Sequence, residues 1–511
     1  MKTLSQDALI VASRQELIDT ITTQQTQIEQ QESRIQEIEF QLEWFKRQVF
    51  GSKSEKFVPD DDMQTMLALG ITKPAPAIKT ETVSYTRQKN TINEKKQGHG
   101  RGVMPTHLPF VDQVIEPQEV TDGMVRIGEE VSWHYQMKPG LLFIKRIIRP
   151  KYALPQGDGV VIGELPALPI DKGNAGPGLM TQVVIDKYVY HLPLDRQRKK
   201  YKNEYNVDFP ESTLCDIVKQ TGFWIKPVCC AYVEKIITSS YLQADETPIP
   251  VLVKDKRGKT HRGYFWVYYD PLNKIVIFDY RESRSATGPA EFLKDFKGTL
   301  QVDGYEGYND IIKSQSLRRA ACMDHVRRRF EKALEYDKER ASYALELMKE
   351  WYKVEREARE QSLTLEQRFA IRKEKTVPSM REFKNWLTKT LSEVLPKSPI
   401  GIAVAYALNQ WPYFEPFMTD QRIEISNILI ENAIRPVAIG RKNYLFNGSH
   451  DAARRAAMIY SLVYIAKLHD TDPFIYLNDL LTKLPASKTS DIKNFLMPGW
   501  KTLQEDKKLA G

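Results

Sequence analysis

Three acidic residues have the side chains and local settings that metal-assisted phosphodiester chemistry requires. Asp245 lies in the run ADETP, inside a predicted strand, and Asp303 lies in QVDGY, at the end of another. Glu431 lies in the predicted helical run ILIENAI. Carboxylates are the ligands that Mg²⁺ and Mn²⁺ prefer, and a pair of such ions activates an attacking oxygen while stabilising a leaving one. Taken singly, an aspartate at a strand end is more often a turn or cap residue. Whether these acids form one site therefore depends on the strands and the helix that carry them.

The strands around the first two acids follow one another in a recognisable order. From residue 241 the chain predicts three strands, a helix, a fourth strand, a second helix and a fifth strand. The strands read YLQADETPIPVLV, HRGYFWVYYDP, NKIVIFDYRES, GTLQVDGY and RAACMDH. This is the order of a ribonuclease-H-like mixed sheet, an α/β fold in which the first and fourth strands are neighbours. Asp245 and Asp303 are therefore predicted to meet at one edge of the sheet, with the third carboxylate supplied by a later helix.

Basic side chains accompany the acids, as a site for a polyanion requires. Glu431 is predicted on a helix over 424–433 that is followed by a basic loop. The candidate phosphate-contacting residues are Arg196, Arg198, Lys199, Lys200, His325, Arg327, Arg328, Arg435, Arg441 and Lys442. The alternative for each basic run is a solvated helix face, and a lone histidine such as His325 is more often structural.

Helical periodicity before the first strand predicts a helix over 178–205, a break at NVDFP, and a second short helix over 211–222. The second helix opens with a Ser/Thr cap, and the spacing is that of a helix-turn-helix. The first four basic candidates lie on the first helix. An ordinary helical hairpin with a charged, solvated face remains the alternative.

The N-terminal region follows a heptad repeat, which keeps one apolar seam on one side of a helix. The seam positions are Leu17, Ile21, Gln24, Ile28, Gln31, Ile35, Ile38, Leu42, Phe45 and Val49. We predict a self-associating coiled coil over 14–50, with a single amphipathic helix packed on its own domain as the alternative. A Pro-, Gly- and Lys-containing linker and a small β-rich module follow.

Composition limits the remaining classes of protein. The chain has 511 residues, 74 Lys and Arg against 66 Asp and Glu, and a net charge of +8. The charge excess permits a polyanionic partner without proving one. No run of apolar residues is long enough to cross a membrane, and no signal peptide is predicted. The four cysteines form no C-x-x-C pair, so neither a disulfide framework nor a thiolate zinc site is expected.

Several ordered motifs resemble the DDE transposases of the insertion-sequence 66 family. They are ADETP, VDGYEGYN, ENAIRPVAIGRKNYLF and a C-x-x-H-x-R-R-x-F element. That element comprises Cys322, His325, Arg327, Arg328 and Phe330. Further matches, from GPGL upstream to MPGW downstream, extend the resemblance over about 147–500, and the heptad segment ending FGSKSEK also resembles this family's N-terminus.

The resemblance implies a catalytic and metal-binding triad of Asp245, Asp303 and Glu431, with a helical insertion between the second and third acids. It implies hydrolysis at the terminal inverted repeats of a mobile element, followed by attack of the freed 3′-hydroxyl on target DNA. The implied cofactor is Mg²⁺ or Mn²⁺, and the implied partners are terminal-repeat DNA, target DNA, a second copy of the chain and companion proteins of the element. A cytoplasmic location at the bacterial nucleoid follows.

Two features depart from the family pattern. The family usually carries a cysteine zinc module between the coiled coil and the catalytic region, but this chain has no cysteine before Cys215, so no zinc is predicted. The family commonly has D-N-N just before the glutamate, whereas this chain has Ser426-Asn427-Ile428. The second departure removes an acid beside the triad and puts the rate or the metal affinity in question.

The predicted organisation is a coiled coil (14–50), a linker (51–107), a β-rich module at the degenerate zinc-finger position (108–170), a helix-turn-helix-like region (171–235), a catalytic domain (236–460) with a helical insertion at about 331–420, and a helical tail (461–511). Two alternatives to a transposase stay open. One is a catalytically impaired DNA-binding relic or regulator, and the other is a ribonuclease-H-like nuclease without strand transfer.

Overall fold

The computed structural model describes residues 105–118, 125–138, 140–154, 160–170, 173–253 and 259–509. The predicted coiled coil and nearly all of the linker lie outside the described residues. The chain divides into two compact units. The smaller contains 112–133 and 146–167, and the larger contains 108–111, 134–145 and everything from 168 onward.

Four strands form a small sheet in the region predicted to be β-rich. They are β1 (Phe110–Val114), β2 (Val125–Lys138), β3 (Leu141–Ala153) and β4 (Val160–Ile162). The order is β1-β3-β2, and β4 pairs with β3 in antiparallel orientation. Within the smaller unit, Arg149 donates to the Gly163 carbonyl at 3.2 Å and pairs with Glu130 at 3.2 Å.

Three helices precede the central sheet instead of the two that the sequence predicted. They are α1 (Pro177–Tyr188), α2 (Leu194–Tyr205) and α3 (Glu211–Ile237). The predicted helix over 178–205 is wrong because Pro193 disfavours helical backbone at the residue before it. Gln197 donates to the Val183 and Leu192 carbonyls at 3.1 and 2.9 Å, which holds the turn between α1 and α2.

The third helix runs for 27 residues, well past the predicted end at Gly222. Its buried stripe continues through Trp224, Ile225 and Val228, so burial of this face outweighs the low helix propensity of glycine. A Cβ at Gly222 would lie 2.7 Å from the Arg455 side chain, which explains why the helix carries glycine here.

Five strands form the central mixed sheet in the order β7-β6-β5-β8-β9. They are β5 (Tyr241–Leu252), β6 (Thr260–Asp270), β7 (Ile275–Arg281), β8 (Thr299–Gln301) and β9 (Arg318–Ala320). The first three strands are antiparallel, whereas β8 is parallel to both β5 and β9. The predicted adjacency of the first and fourth strands is confirmed.

Short helices connect these strands, and longer ones follow the sheet. The connecting helices are α4 (Thr287–Phe292) and α5 (Asn309–Ser314), and α6 (Met323–Ala333) follows β9. The segment predicted as a helical insertion contains α7 (Lys338–Glu360), α8 (Leu365–Ile371), a π-helical turn (Arg372–Thr376), α9 (Val377–Glu393), α10 (Pro399–Gln410) and α11 (Glu415–Thr419). Aromatic side chains fill its core, where Trp351 and Phe383 lie 5.4 Å apart between ring centroids.

The helix that carries Glu431 is α12 (Ile428–Tyr444), which differs from the predicted helix over 424–433 and basic loop. Arg435, Arg441 and Lys442 lie on this helix, so the prediction of a loop was wrong. Pro436 lies inside this helix, and the buried stripe Ile430, Ala433, Val437 and Gly440 continues at helical spacing across it.

The remaining helices are α13 (His450–Leu468), α14 (Pro473–Lys483) and α15 (Gly499–Leu509). The Ser461 hydroxyl of α13 accepts a hydrogen bond from the Phe278 backbone N–H of β7 at 2.9 Å, which fastens this helix to the sheet. In the part of the chain that the structure describes, no helix is long and apolar enough to span a bilayer.

Candidate active site

The register of the central sheet brings Asp245 and Asp303 to neighbouring positions. Gln243 of β5 pairs with Gln301 of β8, and each acid lies two residues further along its own chain segment. Parallel strands run in step, so both acids come to the same edge. Asp245 accepts a hydrogen bond from the Glu246 backbone N–H at 2.8 Å. Asp303 accepts one from the Tyr305 N–H at 2.9 Å.

Glu431 lies in the first turn of α12 and makes an ion pair across to α6. One terminal nitrogen of Arg328 donates to both carboxylate oxygens of Glu431, at 2.6 and 2.9 Å. The Arg328 side chain is 44% exposed and that of Glu431 is 21% exposed, so solvent weakens the ion pair. Exchanging this ion pair for another contact therefore costs little free energy.

Electrostatics show that the three acids share one neighbourhood. The pKa of Asp245 is raised to about 8, mainly by burial and also by the nearby carboxylates of Glu246, Asp303 and Glu431. Burial also raises the pKa of Glu246, against the opposing effect of Arg284. Mutual repulsion between partly buried carboxylates is an interaction that a bound cation would relieve.

The three acids do not form a ready-made metal site in the described part of the chain. No group of three or more His, Cys, Asp or Glu side chains there is spaced to hold a metal ion. Asp245 and Asp303 offer carboxylate oxygens of the kind that Mg²⁺ and Mn²⁺ prefer. Glu431 fits the same role only when Arg328 releases it. The two aspartates are therefore of a suitable chemical type for a cation, whereas the Glu431 carboxylate is occupied by the Arg328 guanidinium.

His325 lies in the first turn of α6, close to the acids. Burial lowers its pKa, while the charges of Asp303 and Glu431 oppose that effect. Cys322 precedes the helix, and its buried sulfur accepts the backbone N–H of Asn427 at 3.5 Å, which joins the start of α6 to the start of α12. Burial raises the pKa of this thiol to about 12. The cysteine of this element therefore belongs to the architecture around Glu431.

The other basic candidates have more varied surroundings. Arg327 pairs with Asp324 and Glu331 of its own helix, at 3.3 and 2.6 Å. On α2, Arg198, Lys199 and Lys200 pair with Asp208, Asp195 and Asp186 at 3.0, 2.7 and 3.2 Å. Arg196 of the same helix is exposed. The basic run on α2 is therefore largely compensated by acids, which reduces its attraction for a polyanion.

The basic residues of α12 lie on the same helix as Glu431. Arg435 and Lys442 are exposed, and Arg441 donates to the Pro248 carbonyl of β5. Since they share a helix with Glu431, their positions relative to that acid are fixed.

Sequence reasoning missed three residues that surround Asp303. Arg319 donates to the Asp303 carbonyl at 3.0 Å. The Arg284 guanidinium carbon lies 4.1 Å from the centre of the Tyr305 ring. A Cβ at Gly304 would lie 2.9 Å from the Tyr406 hydroxyl. Arg319 lies in the short strand β9. Tyr406 comes from α10, far away in sequence. Only the position of Arg284 could have been inferred from sequence, because Arg284 lies in the loop directly after β7, a predicted strand of the same sheet.

The fold and this site define an α/β protein whose sheet edge gathers acidic side chains beside exposed cations. Residues 172–455 match the family described as Transposase IS66 family, which spans more than half of the chain. Residues 37–112 match a second family, described as Transposase C of IS166 homeodomain. The chain belongs to the IS66 transposase family.

Two relatives from Sinorhizobium fredii (strain NBRC 101917 / NGR234) are similar over most of their length. The uncharacterized protein y4jD is 29% identical over 499 residues, covering 93% of this chain and 97% of the relative. The uncharacterized protein y4qI is 30% identical over 428 residues, covering 79% of this chain and 78% of the relative.

Proposed function

We propose that the chain is a DDE transposase that cleaves DNA at the ends of its element and joins those ends to target DNA. The observation that carries this proposal is the strand register, which sets Asp245 and Asp303 two residues after the paired Gln243 and Gln301, while the Ile430 N–H just before Glu431 donates to Gln243. Family membership supports a transposase role, and the finer chemistry rests on the acids.

The strand order supports a ribonuclease-H-like catalytic domain. Three antiparallel strands are followed by two parallel ones, with the first and fourth strands adjacent in the middle of the sheet. We propose this domain over 236–460, with the helical insertion at about 331–420. The β-rich module, the helical region over 171–235 and the coiled coil over 14–50 are proposed to serve DNA binding and self-association. The same proposal includes a second copy of the chain and companion proteins of the element as partners. It also includes a location at the bacterial nucleoid.

Asp245, Asp303 and Glu431 would hold the divalent cations, which supply activation of the attacking oxygen and stabilisation of the leaving oxygen when bound. The chain's own side chains do the rest. Arg328 leaves Glu431, and its guanidinium then lies free to contact a phosphate. His325, at the start of α6, would contact the scissile phosphate. Arg435, Arg441 and Lys442 hold the DNA backbone beside the acids.

Strand transfer separates a transposase from a nuclease. A labelled duplex that carries one terminal inverted repeat is incubated with purified protein, Mg²⁺ and a supercoiled target plasmid, with and without the element's companion proteins. The proposal expects a discrete 3′ cut and a label covalently joined to the plasmid. Cleavage without joined product would support the nuclease, and binding without either product would support the relic or regulator.

Removing the exposed cations of α12 is expected to weaken DNA binding and to reduce its salt dependence. In the double variant Arg435→Ala/Lys442→Ala, the slope of log affinity against log salt should fall by about two, roughly one for each phosphate that is no longer neutralised. Fluorescence anisotropy across a salt series without divalent metal measures this slope. The control is Lys353→Ala, an exposed lysine on α7 that pairs with Glu350 at 3.7 Å. Equal slopes for all three proteins would contradict the assignment.

Releasing Glu431 from Arg328 is expected to tighten cation binding by the DNA-free protein. The variant Arg328→Gln should bind Mn²⁺ about two- to fivefold more tightly, because a partly exposed pair is worth less than about 1 kcal/mol. Titration monitored by the Mn²⁺ spin resonance signal gives the affinity. Arg327→Gln removes the same charge from the same helix but leaves Glu431 paired, so it is the matched control. An identical effect in both variants would show that general charge, not the ion pair, controls binding.

A further inference from the structure

A layer of buried polar side chains lies directly beneath the three acids. Gln243 and Gln301 are fully buried, and the Gln243 amide nitrogen donates to the Gln301 side-chain oxygen at 3.0 Å. The Tyr241 hydroxyl donates to the same Gln301 oxygen at 2.5 Å and accepts from Gln243 at 3.0 Å. Tyr241 is also fully buried. Three polar groups are thus withdrawn from water and satisfied mainly by one another and by nearby backbone.

The two glutamines stand in equivalent positions relative to the acids. Each precedes its acid by two residues, so in extended backbone the glutamine and the acid project from the same face of the sheet. Since Gln243 and Gln301 are register partners, their hydrogen bond fixes the lateral spacing of the two chain segments just before the acids.

The same layer also holds the backbone that leads to the third acid. Gln243 donates to the Ser426 carbonyl at 3.1 Å and accepts from the Ile430 N–H at 3.3 Å. Ile430 immediately precedes Glu431. The Gln243 side chain therefore holds the first turn of α12 against the sheet.

A second branch joins the layer to the helical insertion. Gln301 donates to the Glu424 carbonyl at 2.8 Å, and the Glu424 N–H donates to the Tyr241 hydroxyl at 3.3 Å. The Glu424 carboxylate accepts from Arg368 of α8 at 2.8 Å and from Arg359 of α7 at 2.7 Å. The insertion thus fixes the backbone that enters α12 from one side, while the glutamine layer fixes it from the other.

We propose that Gln243 and Gln301 are positioning residues that set the spacing of Asp245, Asp303 and Glu431. They act through backbone and through each other, without contacting the reacting atoms. Buried groups of this kind hold ligands in place, and their loss typically weakens metal binding or activity by about 10- to 100-fold. This role rests on the proposed function, because it takes the three acids as cation ligands.

The test measures Mn²⁺ binding to the DNA-free protein, which does not depend on catalysis. Gln243→Met and Gln301→Met keep side-chain length and remove the hydrogen bonds, and each is expected to weaken Mn²⁺ binding about tenfold or more. The double variant is expected to bind Mn²⁺ about as weakly as either single variant, because the pair acts as one unit. Tyr241→Phe removes only the hydroxyl, retains the buried ring, and is expected to weaken binding a few-fold.

Ser461→Ala is the matched control, because it removes a buried hydrogen bond to β7 of the same sheet, away from the acids. It should lower the melting temperature while Mn²⁺ affinity stays at the wild-type value. Folded glutamine variants with wild-type Mn²⁺ affinity would overturn the inference. If those variants do not fold, wild-type affinity in Tyr241→Phe overturns it. Asp303→Asn is measured alongside, and if that variant also binds Mn²⁺ normally, the proposed function itself fails.

Discussion

Replacing Asp303 by asparagine is expected to lower the rate of end cleavage by about 10³-fold or more. The carboxylate contributes charge to cation binding, and loss of metal-based charge stabilisation costs several kcal/mol, with each 1.36 kcal/mol worth a factor of ten. Asparagine keeps an oxygen that accepts from the Tyr305 N–H, so the turn after β8 is expected to survive. Single-turnover cleavage of a terminal-repeat duplex in Mg²⁺ measures the rate.

Asp310→Asn provides the matched control, because Asp310 is an exposed acid on α5, only a short way along the chain. The control is expected to cleave at the wild-type rate, and circular dichroism and melting should be alike for all three proteins. Cleavage by Asp303→Asn at a rate near that of the control would remove Asp303 from the catalytic site.

Replacing Arg372 by methionine is expected to destabilise the larger unit by about 3–5 kcal/mol, because it leaves the buried Glu355 carboxylate with only a longer ion pair to Arg368, at 3.7 Å. Arg372 and Glu355 are almost entirely inaccessible, and two guanidinium nitrogens meet the two carboxylate oxygens at 2.7 and 3.0 Å. Arg372 also donates to the Phe417 and Asp420 carbonyls at 3.1 and 3.3 Å. Denaturant unfolding monitored by tryptophan fluorescence reports the loss.

Two comparisons separate this effect from a general loss of charge. Lys353→Met removes an exposed cation from α7 and should cost no more than about 0.5 kcal/mol. In the double variant Glu355→Met/Arg372→Met no carboxylate is left stranded, so it should be more stable than Arg372→Met alone. A double variant that is as unstable as the sum of the two single variants would contradict the ion-pair explanation.

The arrangement of the first two acids could be predicted because it depends on local patterns. Runs with strand character predicted β5 and β8, and the strand order makes them neighbours. Asp245 and Asp303 then follow at the same register. The helical position of Glu431 was also predicted from local sequence. The extent of that helix was not.

Helix boundaries were less predictable, because packing of a buried face decides where a helix ends. Pro436 lies inside α12 and Gly222 inside α3, and in both helices packing of an apolar face continues past the residue. The opposite error occurred at Pro193, where a real helix break was passed over. Local propensity is a weak guide wherever tertiary burial decides.

The layer beneath the acids could not be predicted from sequence. A glutamine inside a strand shows neither its depth nor its partner, and Gln243 reaches Ser426 and Ile430 from a distant part of the chain. The Arg328–Glu431 pair is equally non-local, since it joins α6 to α12. Such contacts join segments that lie far apart along the chain.

The most direct test of the three-acid site is a crystal structure of the protein with a terminal-repeat duplex and Mn²⁺, using anomalous scattering to locate the metal. We expect a Mn²⁺ peak with oxygens of Asp245 and Asp303 at about 2.1 Å, Glu431 within the same coordination sphere, and Arg328 moved from Glu431 to a DNA phosphate. Metal bound away from these carboxylates, or bound while Arg328 still holds Glu431, would contradict the account.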